Sequence, residues 1–257
     1  MDLLIISLTA LLGSALTFFS GFGLGTLLLP VFALFFPLEL AVALTAVVHF
    51  LNNIFKLVLL GRHADRKTIL KFGLPSFFAS LFGAWLLTRL GDLQTTVAFS
   101  ILGYTGQTSY LKLIMGVILL FFALFELIPA LRLLQIHSRY LTLGGLLSGF
   151  FGGLSGNQGA LRSAFLLKAG LTKEIFIATG VVIACMVDVA RLGVYYPFLS
   201  AHPSELPLTL LLAACLSAFA GAFAGSKLIK KVTVKSVQYL VAVCLILFSC
   251  LLMAGKI

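Results

Sequence analysis

The sequence predicts an all-α integral membrane protein of two inverted repeats, each a glycine-broken hairpin followed by about three transmembrane helices. Three observations predict it. The chain of 257 residues is 61% hydrophobic and 10% charged, with a mean hydropathy of +1.15, where a soluble domain carries roughly 25% charged residues. One pattern occurs twice: at a spacing of 135, Glu39 answers Glu174, Ala43 answers Ala178, Asn53 answers Asp188 and Lys56 answers Arg191, and at 138 Gly83 answers Gly221 and Arg89 answers Lys227. Each copy also breaks its first apolar segment with a glycine-rich turn, GFGLGTLLLP at 21–30 and GGLSGNQGALRSA at 152–164. Duplicated hydrophobic units with a broken helix in each half are the pattern of secondary transporters, whose substrate site lies between the breaks. The whole of 1–257 is expected to be one transmembrane domain, with repeat 1 at 1–130 and repeat 2 at 139–257.

Apolar segments run at 3–36, 40–60, 69–88, 111–130, 141–168, 175–199, 206–226 and 236–254. About 20 residues at 1.5 Å each cross a core of about 30 Å. Six segments fit that length; 3–36 and 141–168 are too long for one straight helix and contain the glycine turns. If every segment crosses once, the basic loops at 61–71 and 227–235 fall on opposite sides. If the two long segments are hairpins that enter and leave on one side, the halves are inverted. The loops at 61–71, 131–139, 168–174 and 227–235 then share a side and sum to +10, against −1 on the other side. Basic loops prefer the cytoplasm, which favours the inverted arrangement. The stretch 93–110 reads as a surface loop whose middle is a candidate interfacial helix. The acidic start at Asp2 and the lack of a small-residue cleavage site make the N-terminal segment read as retained.

Backbone left unpaired at membrane depth is tolerated only where protein or a water-filled cavity covers it. A half-helix start presents free N–H groups and a positive dipole end, and so holds anions. The expected substrate site is therefore the pair of turns: backbone amides of Gly23, Gly25, Gly156 and Gly159, with Thr26, Asn157, Gln158 and Arg162 supplying side chains. The competing structural explanation is that the glycines only permit close helix packing; it suits Gly83 and Gly221 better than the turns.

A second polar set is expected to couple or gate. Asn53 and Lys56, and Asp188 and Arg191, lie at helical spacing i, i+3, and Asp188 can pair with Arg191, lowering the cost of burying either. The alternative for Asp188 and Arg191 is a structural ion pair, and Lys56, near its span end, reads as snorkelling to the interface. His49, one turn before Asn53, titrates near neutral pH when unperturbed; its alternative is a buried, hydrogen-bonded histidine. Glu126 reads as interfacial. Cys185, Cys215, Cys244 and Cys250 fall inside apolar runs without metal-ligand spacing and read as packing residues.

No metal site and no cofactor are expected. The net charge of +10 sits between spans rather than in a nucleic-acid-binding patch. The chain carries no P-loop, Gly-x-Ser-x-Gly or His-Glu-x-x-His motif, so it reads as a non-enzyme without an ATP site. An intramembrane enzyme acting on lipid phosphates and an anion channel are the alternatives, the first disfavoured because no paired acids stand near Arg162. The expected partners are a small anion and the bilayer, with a homodimer left open.

The repeated glycine turn and the alanine-rich start of the next span, AVALTAVVHFLNN at 41–53 and ATGVVIACMVD at 178–188, resemble the TauE/SafE sulfite exporter family over almost the whole chain. The resemblance implies a multi-pass permease moving small sulfur-containing anions such as sulfite or organosulfonates. This chain departs from the family pattern in copy two. Asn157, Gln158 and Arg162 stand where further glycines and a proline are usual, and Ala164 where copy one has Pro30. The added arginine implies a tightly held or differently shaped anion.

Overall fold

The computed structural model describes residues 1–18, 24–60, 63–93, 95–101, 104–132, 134–201, 206–228 and 234–257, without the side chains of 59–60, 101, 104, 129, 132, 228 and 234–238. Among the described residues ten main helices follow one another. Residues 1–130 contribute α1 (Asp2–Thr17), α2 (Leu24–Ala33), α3 (Leu38–Leu60), α4 (Arg66–Asp92) and α5 (Tyr110–Leu127). Residues 139–257 contribute α6 (Leu141–Ser155), α7 (Gly159–Leu166), α8 (Lys173–Ala201), α9 (Leu208–Leu228) and α10 (Val234–Met253). Helices α3, α4, α5, α8 and α9 are long and apolar enough to cross a membrane, and α10 is 20 residues long. The chain is a multi-pass membrane protein. Phe78, Phe82 and Trp85 on α4 point outward, as a lipid-facing helix requires.

Each over-long apolar segment is two short helices. At 1.5 Å per residue, the 16 residues of α1 reach about 24 Å, less than a span. Helix α6 ends where Gly156, at φ 77°, takes the left-handed conformation and donates its N–H to Gly152 O at 3.0 Å; glycine adopts this cap without a Cβ penalty. The Ile136 N–H donates to Ala164 O at 3.0 Å, so the chain leaves the α6–α7 pair beside the place where it entered.

The helix pairings recur with the halves exchanged. The most extensive interfaces are α4 on α6 and α9 on α1. Likewise α4–α8 has its counterpart in α9–α3, and α5–α7 in α10–α2, while α3–α8 and α5–α10 pair matched helices with each other. Glycines permit the two tightest interfaces, as small residues do between membrane helices. A Cβ on Gly83 would run into the Phe150 carbonyl, and one on the answering Gly221 into the Leu11 carbonyl. Ser76 Oγ completes the first interface by donating to Gly145 O at 3.0 Å. Gly221→Ala is expected to destabilise the fold by about 2–3 kcal/mol, the upper part of the overpacking range because a backbone carbonyl cannot step aside. Thermal unfolding in detergent measures it; a wild-type melting temperature would mean that α1 and α9 are less tightly packed.

The stretch read as a loop or interfacial helix is a β-hairpin. Strand β1 (Thr96–Ile101) pairs antiparallel with β2 (Tyr104–Ser109), Thr96 opposite Ser109. It docks on the end of α10, Thr108 Oγ donating to Leu252 O at 3.0 Å. The ladder pairs the backbone groups that face between the two strands, which a loop would leave to water.

At the other end, Asp65 caps α4, accepting from Thr68 N–H at 2.7 Å, and its own N–H donates to Thr179 Oγ1 at 2.9 Å. Hydrogen bonds from the Thr68 side chain and backbone hold its carboxyl below the usual carboxylate range. Asp65→Ala is expected to cost about 1 kcal/mol, a typical N-cap loss. A depressed folded-state value stabilises above the unfolded value and is lost as pH falls through the folded one. The penalty should therefore shrink below about pH 4 in melting experiments across pH. A penalty unchanged at low pH would mean that the charge contributes nothing.

Candidate functional site

The polar centre lies where α3 meets α8, the first full span of each half. His49, Asn53 and Lys56 follow at i, i+4 and i+7 on α3, so they share one face. Asp188, fully buried on α8, faces them: His49 Nδ1 lies 2.8 Å and Asn53 Nδ2 3.0 Å from its Oδ2. Its Oδ1 accepts from Arg191 Nε at 3.0 Å and pairs with Nη2 at 2.7 Å. Asn53 and Asp188, the answering positions of the duplication, thus touch each other. One carboxylate here joins a histidine, an amide and a guanidinium, the kind of partners that a buried carboxylate requires.

Beside this network is a cavity of about 40 Å³. A water needs about 10–15 Å³ on this measure, so the space suits a few waters or one small oxyanion. Thr17 and Phe18 at the end of α1, His49, Asn53 and Lys56 on α3, Arg162 on α7, and Gly180 and Ala184 on α8 line it. Lys56 and Arg162 are 5% and 8% exposed. The Lys56 ammonium stands 5.4 Å above the Phe18 ring, a cation–π distance. Arg162 passes over Gly180, where an added Cβ would lie 3.5 Å from its Nε. Two cationic side chains and an imidazole therefore enclose the space, and among the described residues no carboxylate lines it.

Of the expected substrate-binding residues, Arg162 lines this cavity. Asn157, Gln158 and Gly159 are buried and Gly156 is half-buried in the turn behind it, and none of the four lines the cavity. Asn157 Oδ1 and Gln158 Oε1 are enclosed without a hydrogen-bond partner, while Ser148 Oγ donates to Gln158 O at 3.1 Å. Gly25 packs on Thr45 and the His49 ring, and Thr26 is buried beside it in α2; neither lines the cavity. Gly23 lies outside the described residues. The expected coupling residues His49, Asn53, Asp188 and Arg191 come together as one network. Arg191 links that network to the second turn, for its Nη1 lies 3.0 Å from where a Cβ on Gly156 would stand, and Nη1 makes no hydrogen bond.

Sequence reasoning missed Lys56, assigned to the interface but buried in the cavity. The i, i+4, i+7 spacing with His49 and Asn53 was the available signal. Glu126, assigned to the interface, is 4% exposed with Oε2 unpartnered. Its helix packs through Phe122 and Phe125 on Ala160, Leu161 and Ala164 of α7. Thr17 and Phe18 carried no signal, since only the folded hairpin brings the end of α1 to α3.

No curated protein and no solved structure matches the chain. The family model described as sulfite exporter TauE/SafE matches residues 6–252, nearly the whole chain. With its broken hairpins and apolar spans, the chain belongs to the sulfite exporter TauE/SafE family.

Proposed function

We propose that the chain is a secondary transporter of small sulfur-containing anions, such as sulfite or organosulfonates, across the bacterial cytoplasmic membrane. The observation that carries this is the burial of Lys56 and Arg162 around one cavity with no carboxylate in its lining. Buried charges at membrane depth are costly and mark pathways; here two cations face one space, and their summed field favours an anion in it. Family membership supports transport of sulfite or related anions. An anion channel would share this lining, but saturable flux and counter-transport belong to a carrier.

The halves 1–130 and 139–257 are read as inverted repeats that alternate access to the cavity. The exchanged helix pairings and the Ile136–Ala164 hydrogen bond support that reading. So does the cavity itself, where the C-terminal end of α3 and the N-terminal part of α8 meet. A cysteine at Ala64 and one at Ser226 are therefore expected to label from the cytoplasmic face, and one at Ala201 from the other. Labelling of the first two from opposite faces would restore the parallel eight-span arrangement.

Thermal stabilisation tests the substrate. Sulfite, sulfate, thiosulfate, sulfoacetate, taurine, phosphate and acetate are compared with the purified protein, because a ligand that binds only the folded state raises its melting temperature. A rise with a sulfur oxyanion or sulfonate is expected. No rise with any of the anions would overturn the reading.

A further inference from the structure

We infer that His49 is the proton-binding group of this transporter, taking up a proton as an anion enters the cavity, with Asp188 and Arg191 as positioning residues. The inference rests on the reading of the cavity as an anion site. It starts from placement: His49 is itself part of the lining, beside Lys56 and Arg162, whereas Asp188 stands behind it and is fully buried.

Geometry assigns the two ring nitrogens different tasks. Nδ1 lies 2.8 Å from Asp188 Oδ2, so the neutral ring donates from Nδ1 and carries its lone pair on Nε2. Nε2 is 3.4 Å from Asn53 Nδ2, a long contact that leaves it able to take a proton. Arg191 holds the other carboxylate oxygen through Nε and Nη2, which stops Asp188 from turning away. The ring face is backed by Gly25 of α2, where an added Cβ would lie 3.7 Å from His49 Cδ2.

The charges that face the ring supply the coupling. Lys56 from its own helix, Arg162 from α7 and Arg191 from α8 are cationic, and Asp188 is the anionic neighbour. The surroundings of the neutral imidazole thus carry an excess of two positive charges, which oppose a third. A dianion in the cavity cancels that excess, and the proton can then enter. The proton comes from water on the side to which the cavity is open, joins Nε2, and leaves when the anion leaves on the other side. The coupling is reciprocal: an anion that favours the proton binds more tightly when the proton is present.

The test is calorimetric titration of the purified full chain with sulfate, thiosulfate and sulfoacetate, which keep one charge state between pH 6 and 8. Each titration is run in two buffers of different protonation heat, so the difference reports protons taken up. The wild type is expected to take up about one proton per anion, and its affinity to rise as pH falls from 8 to 6, as linkage requires. His49→Gln keeps a hydrogen-bond donor toward Asp188; it is expected to bind more weakly, with neither proton uptake nor a pH dependence. Anion binding by the wild type without proton uptake overturns the inference and leaves the anion site standing. Proton uptake that survives in His49→Gln overturns it equally. Binding of none of the three anions, with sulfite also inert in the melting experiment, removes the anion site and the inference together.

Discussion

Arg162→Ala is expected to abolish anion-induced stabilisation while leaving an inserted, folded protein. The substitution removes a guanidinium 8% exposed at the cavity wall and leaves Lys56 and His49 as the remaining basic side chains of the described lining. Truncating one partner of a buried, hydrogen-bonded charge pair costs about 2–5 kcal/mol of binding, or roughly 30-fold to several thousand-fold in affinity. The fold should tolerate the change, because alanine favours the helix and the side chain lies over Gly180 rather than in an apolar core. Arg162→Lys separates charge from shape: an ammonium keeps the attraction and loses the planar fork that matches an oxyanion, so an intermediate affinity is expected. The readouts are melting temperature and calorimetric affinity for the anion that stabilises the wild type. Wild-type affinity in Arg162→Ala would remove this residue from the site.

Asp188→Ala is expected to be the most damaging change to the fold. It removes the acceptor of three side chains at once and strands Arg191, 1% exposed, without its counter-charge. Breaking a buried ion pair by deleting one partner costs about 3–5 kcal/mol, a large share of the stability of any protein. The double variant Asp188→Leu with Arg191→Met should recover much of that loss, since apolar pairs of similar volume replace buried ion pairs without penalty. It should not recover transport if the network also orients His49. Melting temperature in detergent and vesicle uptake read the two effects separately. A single variant as stable as the wild type would show that the pair is not a structural element.

The legible parts of this protein were those written in local pattern. The two glycine turns marked the broken hairpins, and helices end and restart there, at Ser155 and Gly159 in the second copy. The spacing of 135 pairs Asn53 with Asp188, which touch in the fold, and the i, i+3 spacing pairs Asp188 with Arg191. Local pattern failed at 93–110, where short strands with mixed polar residues give a weak periodicity and the pairing partner supplies the order. It failed again at Lys56, because nearness to a span end says nothing about which neighbour covers the side chain.

The sequence by itself determined the membrane class, the spans and the breaks. Transfer of an apolar segment into lipid and the conformational freedom of glycine act within a few residues of chain. Only the tertiary structure decided which polar side chains share a space. His49 and Asp188 stand 139 positions apart, and Lys56 and Arg162 lie in different halves. Their meeting depends on how α3 packs against α8 and where the hairpins insert. That packing is set by side-chain and backbone contacts over the whole helix interface, such as the close approach of Gly83 to Phe150, which no local stretch of sequence contains.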